Sequence, residues 1–172
     1  MIQEVNYDQQ DIEKFLEINE LPDRNESSQT LQKLLHVQSK ISIIANIDPV
    51  DLKAILYDLK FIQYNRNDQI IEEGDTSDEI FFIFSGECHV LHKGKKIGEI
   101  KTGKTFGESA AVFNTKRNAT VICSSEKATI LSFRINHDNM RFCAPALATL
   151  YKNLAFQINK KLEDTNNTLV KK

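Results

Sequence analysis

No sign of charge dominates this chain: 22 lysines and arginines stand against 24 aspartates and glutamates, for a formal net charge of -2 at pH 7. A surface that grips nucleic acid or an anionic membrane generally needs a basic excess, so neither class of partner is expected, and any anion site must be local. Cysteine is scarce and odd in number. Cys88, Cys123 and Cys143 have no metal-type spacing, which fits a reducing compartment. Residues 1–10 have no basic start and no apolar core, and no apolar run approaches membrane-spanning length, so the chain reads as cytoplasmic. Histidine is limited to four positions. His89 and His92 are three apart and would face opposite sides of one strand, while His36 and His137 fall in helical patterns, so the histidine set of a metal-dependent β-roll enzyme is absent. No Ser-His-Asp or Cys-His arrangement is legible either. The reading is therefore non-catalytic, with no metal and no cofactor.

With 172 residues, 41% of them hydrophobic, the chain has room for one domain plus helical extensions. Ile12, Phe15, Leu16 and Ile18 are spaced as a helix closed by Leu21-Pro22, and a second helical pattern runs through Leu31, Leu34, Leu35, Gln38, Ile41 and Ile44. These make an N-terminal helical extension over residues 1–47, which packs on the following domain or offers an output surface. Asp48-Pro49 then starts a helix with Leu52, Ile55, Leu56 and Leu59 as its buried stripe. After Lys60 the period changes. Short β-rich runs at 61–64, 69–71, 80–84, 88–92, 96–100, 118–124 and 128–133 alternate with turn signals such as Arg66-Asn67-Asp68, Ser85-Gly86-Glu87 and Lys93-Gly94-Lys95. Such a series predicts a mainly β fold with flanking helices (α+β), an antiparallel jelly-roll barrel of about eight strands over residues 48–143. Asn136 to Asn139 can start a short helix. Past Ala144-Pro145, the residues Leu147, Leu150, Tyr151, Leu154, Ile158 and Leu162 mark a helix of about five turns within a C-terminal segment, 144–172. Its stripe suits either a homodimer seam or packing back on the roll.

The stretch from Phe106 to Thr120 carries the chemistry. It holds Gly107, the acid Glu108, the small residues Ser109, Ala110 and Ala111, and then Arg117, nine positions after the acid. A guanidinium is a permanently charged fork of donors that matches phosphate oxygens. A short helix starting near Ser109 would aim free N–H groups at the same anion. A carboxylate beside a phosphate is useful only if it accepts from hydroxyls, which points to a ribose.

Phe106-Gly107-Glu108, Arg117 and Ala119 resemble, with matching spacing, the phosphate-binding cassette of the cyclic nucleotide-binding domain family of catabolite activator protein and protein kinase A regulatory subunit type. The resemblance covers roughly residues 48–165 and is closest to stand-alone bacterial members. It implies an eight-stranded roll flanked by helices, with Gly74 and Gly86 at strand bends and Gly107 where backbone approaches the nucleotide. It implies a cyclic nucleotide-binding set of Gly107, Glu108, Ser109, Ala110, Arg117, Asn118 and Ala119. In that set Arg117, with the amides of Ala110 and Asn118, holds the phosphate, and Glu108 accepts from the ribose 2′-hydroxyl. Val90, Ile97 and Ile100 would line the base, and Phe142 or Tyr151 would cap it from the C-terminal helices.

Four positions depart from the family pattern. Ser109 and Ala111 replace aliphatic residues of the hinge, Lys116 replaces a frequent proline, and Asn118 stands where neither the cAMP-type alanine nor the cGMP-type hydroxyl is found. The missing threonine favours cAMP over cGMP. The expected function is a cAMP or cGMP receptor that moves its flanking helices to control an effector protein or a homodimer through the C-terminal helix. The chain reaches Lys172 with no helix-turn-helix, so direct DNA binding is not expected. The rival reading is an interaction module on the same fold whose ligand is lost or altered, for example to a cyclic dinucleotide.

Overall fold

Asp48 begins its helix by the expected chemistry. In the computed structural model, which describes residues 35, 38, 41–135 and 143–170, its carboxylate accepts from the Val50 amide at 2.8 Å. Pro49, which has no N–H to leave unpaired, occupies the first turn. Helix α1 (Pro49–Ile55) is shorter than its apolar stripe implies. The chain turns extended at Leu56 and runs directly into strand β1 (Leu56–Asn65), so Leu56 and Leu59 are strand residues. Cross-strand pairing overrides helical spacing here, at the expense of a bulge between residues 57 and 60 where Asp58 takes a positive φ of 54°.

The remaining strands are β2 (Gln69–Ile71), β3 (Ile80–Ser85), β4 (Glu87–His92), β5 (Lys95–Lys101), β6 (Thr105–Phe106), β7 (Thr120–Cys123) and β8 (Lys127–Ile135). They form two four-stranded sheets, ordered β1-β8-β3-β6 and β2-β7-β4-β5, and each paired ladder is antiparallel. This is the eight-stranded jelly-roll architecture that the strand spacing implies. The two-residue strand β6 escapes any periodicity argument and is held by pairing with Phe81 and Phe82.

Strand β3 explains how the layers stack. Its residues alternate sides, and both sides are buried. Phe81 and Ile83 join Cys88, Val121, Cys123 and Ile130 between the sheets. Ile80, Phe82 and Phe84 join Leu131 and Phe133 on the outer face, under the helices. That outer core is closed by Ile41, Ile43, Ile44 and Ile47 around a single 3-10 turn (Ser42–Ile44), and by helix α3 (Ala144–Val170). The second N-terminal helical pattern thus ends in this turn. The rest of both N-terminal patterns, apart from a helical Leu35 and the 3-10 residue Gln38, lies outside the described residues, as does Asn136–Asn139.

Helix α3 is 27 residues long and lies back on the roll. Ala146, Leu147, Leu150 and Leu154 are buried against it. Asn153 donates to the carbonyls of Ile43 and Ala45 at 3.1 and 3.0 Å, and Gln157 bonds Ser42. The face then diverges from the leucine pattern. Leu162 is 58% exposed, and the residue that reaches the roll beyond Gln157 is Lys161.

Candidate functional site

The turn from β6 into helix α2 (Glu108–Phe113) builds the site. Gly107 is the N-cap of α2, in the left-handed region at φ 81°, where a side chain would be strained. Space is as restrictive as conformation. A Cβ on Gly107 would lie 2.7 Å from Arg117 Nη1, 3.0 Å from the Glu79 carbonyl oxygen and 3.1 Å from the Phe81 ring. Glycine is therefore what lets the guanidinium pass against the backbone. The helix ends after two turns at Asn114, also left-handed, and the chain loops back to bring Arg117 under the turn it started from.

Arg117 is held at both its backbone and its side chain. Its N–H donates to the Asp75 carbonyl at 2.8 Å, and its carbonyl accepts from the Gly74 amide at 2.8 Å. Its Nη1 donates to the Gly107 carbonyl at 2.7 Å, and Nη2 donates to the Glu79 carbonyl at 2.8 Å and to Ser77 Oγ at 3.0 Å. The guanidinium carbon also lies 5.6 Å from the centre of the Phe81 ring. Burial of this cation, which is only 4% exposed, pushes its pKa below the ordinary arginine value, while Glu79, Asp78, Asp75 and Glu108 pull the other way. It remains protonated, as arginine does in proteins. Its Nε is buried with no hydrogen-bond partner among the described residues. An unpaired charged donor in the interior costs free energy, so it is a group suited to receive an anion.

Glu108, the first residue of α2, is 3% exposed. Its carboxylate meets the ammonium of Lys161 from helix α3, and the same ammonium donates to the Thr105 carbonyl at 2.7 Å. Ala110 is a buried residue of α2, and Ser109 and Ala119 are half-buried. Asn118 is exposed, and its carbonyl lies 3.2 Å from His92 Nδ1, which is also 3.0 Å from Glu73. The structure thus brings Gly107, Glu108, Ser109, Ala110 and Arg117 to one turn, with Asn118 and Ala119 leaving it toward β7.

The three base-lining candidates separate. Val90 pairs with Gly98 and Val121, and Ile100 pairs with the buried Cys88, so both point into the roll. Ile97 is 64% exposed, at the register shift opposite Val90 and Leu91, and stands apart from them. Tyr151 packs on the outer core, and burial raises its phenol pKa. Phe142 lies outside the described residues. Of the histidines, His89 contacts Lys96 and Glu99, and among the described residues no three His, Cys, Asp or Glu side chains converge as a metal site.

Sequence reasoning missed Ser77, Glu79, Thr105 and Lys161. The first two lie in an acidic turn, Asp75-Thr76-Ser77-Asp78-Glu79, and they act mostly through backbone and hydroxyl oxygens, which leave no composition signal. Lys161 was legible: it lies four residues after Gln157 and seven after Leu154, on the face that packs against the roll.

Residues 61–141 match a family model described as the cyclic nucleotide-binding domain. The chain is 28% identical over 88 residues to a cGMP-dependent protein kinase of Toxoplasma gondii, a match covering 51% of the chain and 9% of the kinase. It is 35% identical over 83 residues to potassium/sodium hyperpolarization-activated cyclic nucleotide-gated channel 2 of Mus musculus, covering 48% of the chain and 10% of the channel. The matches therefore span only a small part of these much longer relatives. Among solved structures, a cyclic nucleotide-binding domain from Methylobacillus flagellatus kt superposes with a TM-score of 0.67 at 16% identity, covering 84% of each chain. That likeness establishes the fold.

Proposed function

We propose that this chain, whose residues 61–141 belong to the cyclic nucleotide-binding domain family, is a non-catalytic receptor for a cyclic mononucleotide, cAMP in preference to cGMP. The observation that carries the reading is Arg117: a buried residue whose guanidinium packs against the glycine that admits it, with Nε unpaired among the described residues. The first-turn amides of α2 beside it have no helical acceptors, so the two features together favour a phosphate. Glu108 lies on the same turn and can accept from the ribose. Val90 and Ile100 offer the base an apolar wall on β4 and β5.

Binding in this arrangement has a structural consequence. The Nη groups of Arg117 are already engaged by Gly107, Ser77 and Glu79, and Glu108 by Lys161. A ligand that takes over these groups must displace protein partners drawn from the 74–79 turn and from helix α3. Ligand binding is thereby coupled to the position of α3, and the output is carried to an effector protein or a second copy of the chain as a shift between two arrangements. The absent guanine-directed threonine is what favours cAMP, with Asn118 in its place.

The same occupied donors favour one rival, an interaction module on this fold that no longer takes a mononucleotide. Isothermal titration with cAMP, cGMP and a cyclic dinucleotide separates the two. Saturable binding of a cyclic mononucleotide, abolished in Arg117→Ala, supports the receptor. Binding of the dinucleotide alone, or of none, supports the rival.

A further inference from the structure

The face of α3 that packs on the roll ends in a charge. Leu147, Leu150 and Leu154 are buried, Gln157 bonds the Ser42 turn, and Lys161 follows on the same side. Its ammonium bridges the Thr105 carbonyl and the Glu108 carboxylate, tying the second half of α3 to the strand and helix that flank Gly107. Glu108 has been taken almost wholly out of water, so it needs a donor, and Lys161 supplies it. The hydroxyl of Thr105 is also buried there, without a hydrogen-bond partner among the described residues.

An ammonium and a sugar hydroxyl approach a carboxylate oxygen in the same way, as donors at hydrogen-bond distance. We propose that Lys161 is an internal competitor for the sugar hydroxyl at Glu108, so that the nucleotide-bound site and the docked end of α3 exclude one another. The proposal rests on the receptor reading above and names its regulation. The charged groups facing Glu108 are Lys161 from α3 and Arg117 from the loop before β7. Both Nη groups of Arg117 are engaged by carbonyls and Ser77, so at Glu108 it is Lys161 that the ligand must replace.

Two consequences follow by linkage. Docking of Lys161 lowers the apparent affinity in proportion to the fraction of molecules left undocked, and saturating ligand in turn empties the docked state. The first half of α3 stays anchored through Leu150, Leu154 and Asn153, so release is confined to the helix beyond Gln157.

The test titrates wild type, Lys161→Gln and Lys161→Arg with cAMP and cGMP and follows amide hydrogen exchange over residues 156–167. Lys161→Gln is expected to bind whichever nucleotide the wild type binds about fivefold to tenfold more tightly, as removal of a competing docked state requires. Lys161→Arg, which keeps the charge, is expected to stay within about twofold of wild type. Exchange at 156–167 should rise with ligand in wild type and be high without ligand in Lys161→Gln. Unchanged binding by Lys161→Gln overturns the competitor assignment and leaves the receptor reading in place. Weaker binding overturns it too, and makes Lys161 a ligand contact instead. No binding by any of the three proteins overturns both.

Discussion

Arg117 Nη1 donates to the carbonyl of Gly107 at 2.7 Å, at the point where a side chain on Gly107 would strike that same nitrogen. The two residues are ten apart in sequence and closed into one unit, with α2 as the arch between them. A group that moves the guanidinium therefore moves the turn, and the turn carries Glu108.

Gly107→Ala should be destabilising on two counts, the positive φ and the collision with Arg117, Glu79 and Phe81. A loss of about 1–3 kcal/mol is expected for the backbone strain alone. Urea unfolding measures it, and a midpoint equal to wild type would mean that the turn relaxes without the glycine.

Arg117→Ala leaves the carbonyls of Gly107 and Glu79 without the donors they now have, so it should lower stability as well as binding. For binding, the expected loss is about 2–5 kcal/mol, the usual result of removing one partner of a desolvated charge pair. Arg117→Lys should restore little, because a single ammonium cannot reach Gly107, Glu79 and Ser77 together. Wild-type affinity in Arg117→Ala would mean that the anion is held elsewhere.

Cys88 faces Cys123 across the β4–β7 ladder inside the roll, and burial, with a smaller contribution from Cys123, pushes its pKa up to about 12. In the unfolded chain the thiol ionises near pH ~8.5. Over the interval between, the unfolded state binds fewer protons than the folded one, so stability falls as pH rises. Tyr64, whose phenol is also shifted up, adds a loss of the same sign at the alkaline end. Stability should therefore decline from about pH 8.5 toward 12 and decline less steeply in Cys88→Ala, as read from denaturation midpoints at each pH. Identical slopes in the two proteins would remove the thiol from the account.

Val90→Ala and Ile100→Ala should weaken nucleotide binding, since both side chains point into the roll. Ile97→Ala should change stability by no more than about 0.5 kcal/mol, as surface substitutions do. Titration calorimetry of the three variants compares them. Loss of affinity in Ile97→Ala would mean that the exposed isoleucine closes on the ligand.

Most of the roll was legible because half-buried strands leave a period of two and the turns between them carry glycine, asparagine and aspartate. What was not legible arose from pairing between distant segments. Leu56 and Leu59 read as helix but belong to the ten-residue strand that pairs with β8 on either side of its bulge, and Thr105–Phe106 is a strand only because β3 lies beside it. That the candidate residues from Gly107 to Arg117 share one turn was legible from their spacing, but the partners of Arg117 were not. The Gly107 carbonyl, the Glu79 carbonyl and the Ser77 hydroxyl are ordinary groups until the fold places them around Arg117. The helix pattern chose Leu162 for the buried face where Lys161 belongs, because an apolar rule passes over a lysine whose charge is met by a buried carboxylate.

The most direct measurement is a binding cycle of cAMP and 2′-deoxy-cAMP against wild type and Glu108→Gln, each dissociation constant determined by titration calorimetry. The account predicts that wild type binds cAMP more tightly than its 2′-deoxy analogue, and that this preference largely disappears in Glu108→Gln. A 2′-hydroxyl preference equal in both proteins, or no binding of cAMP at all, would contradict the pairing of Glu108 with the ribose on which the site is built.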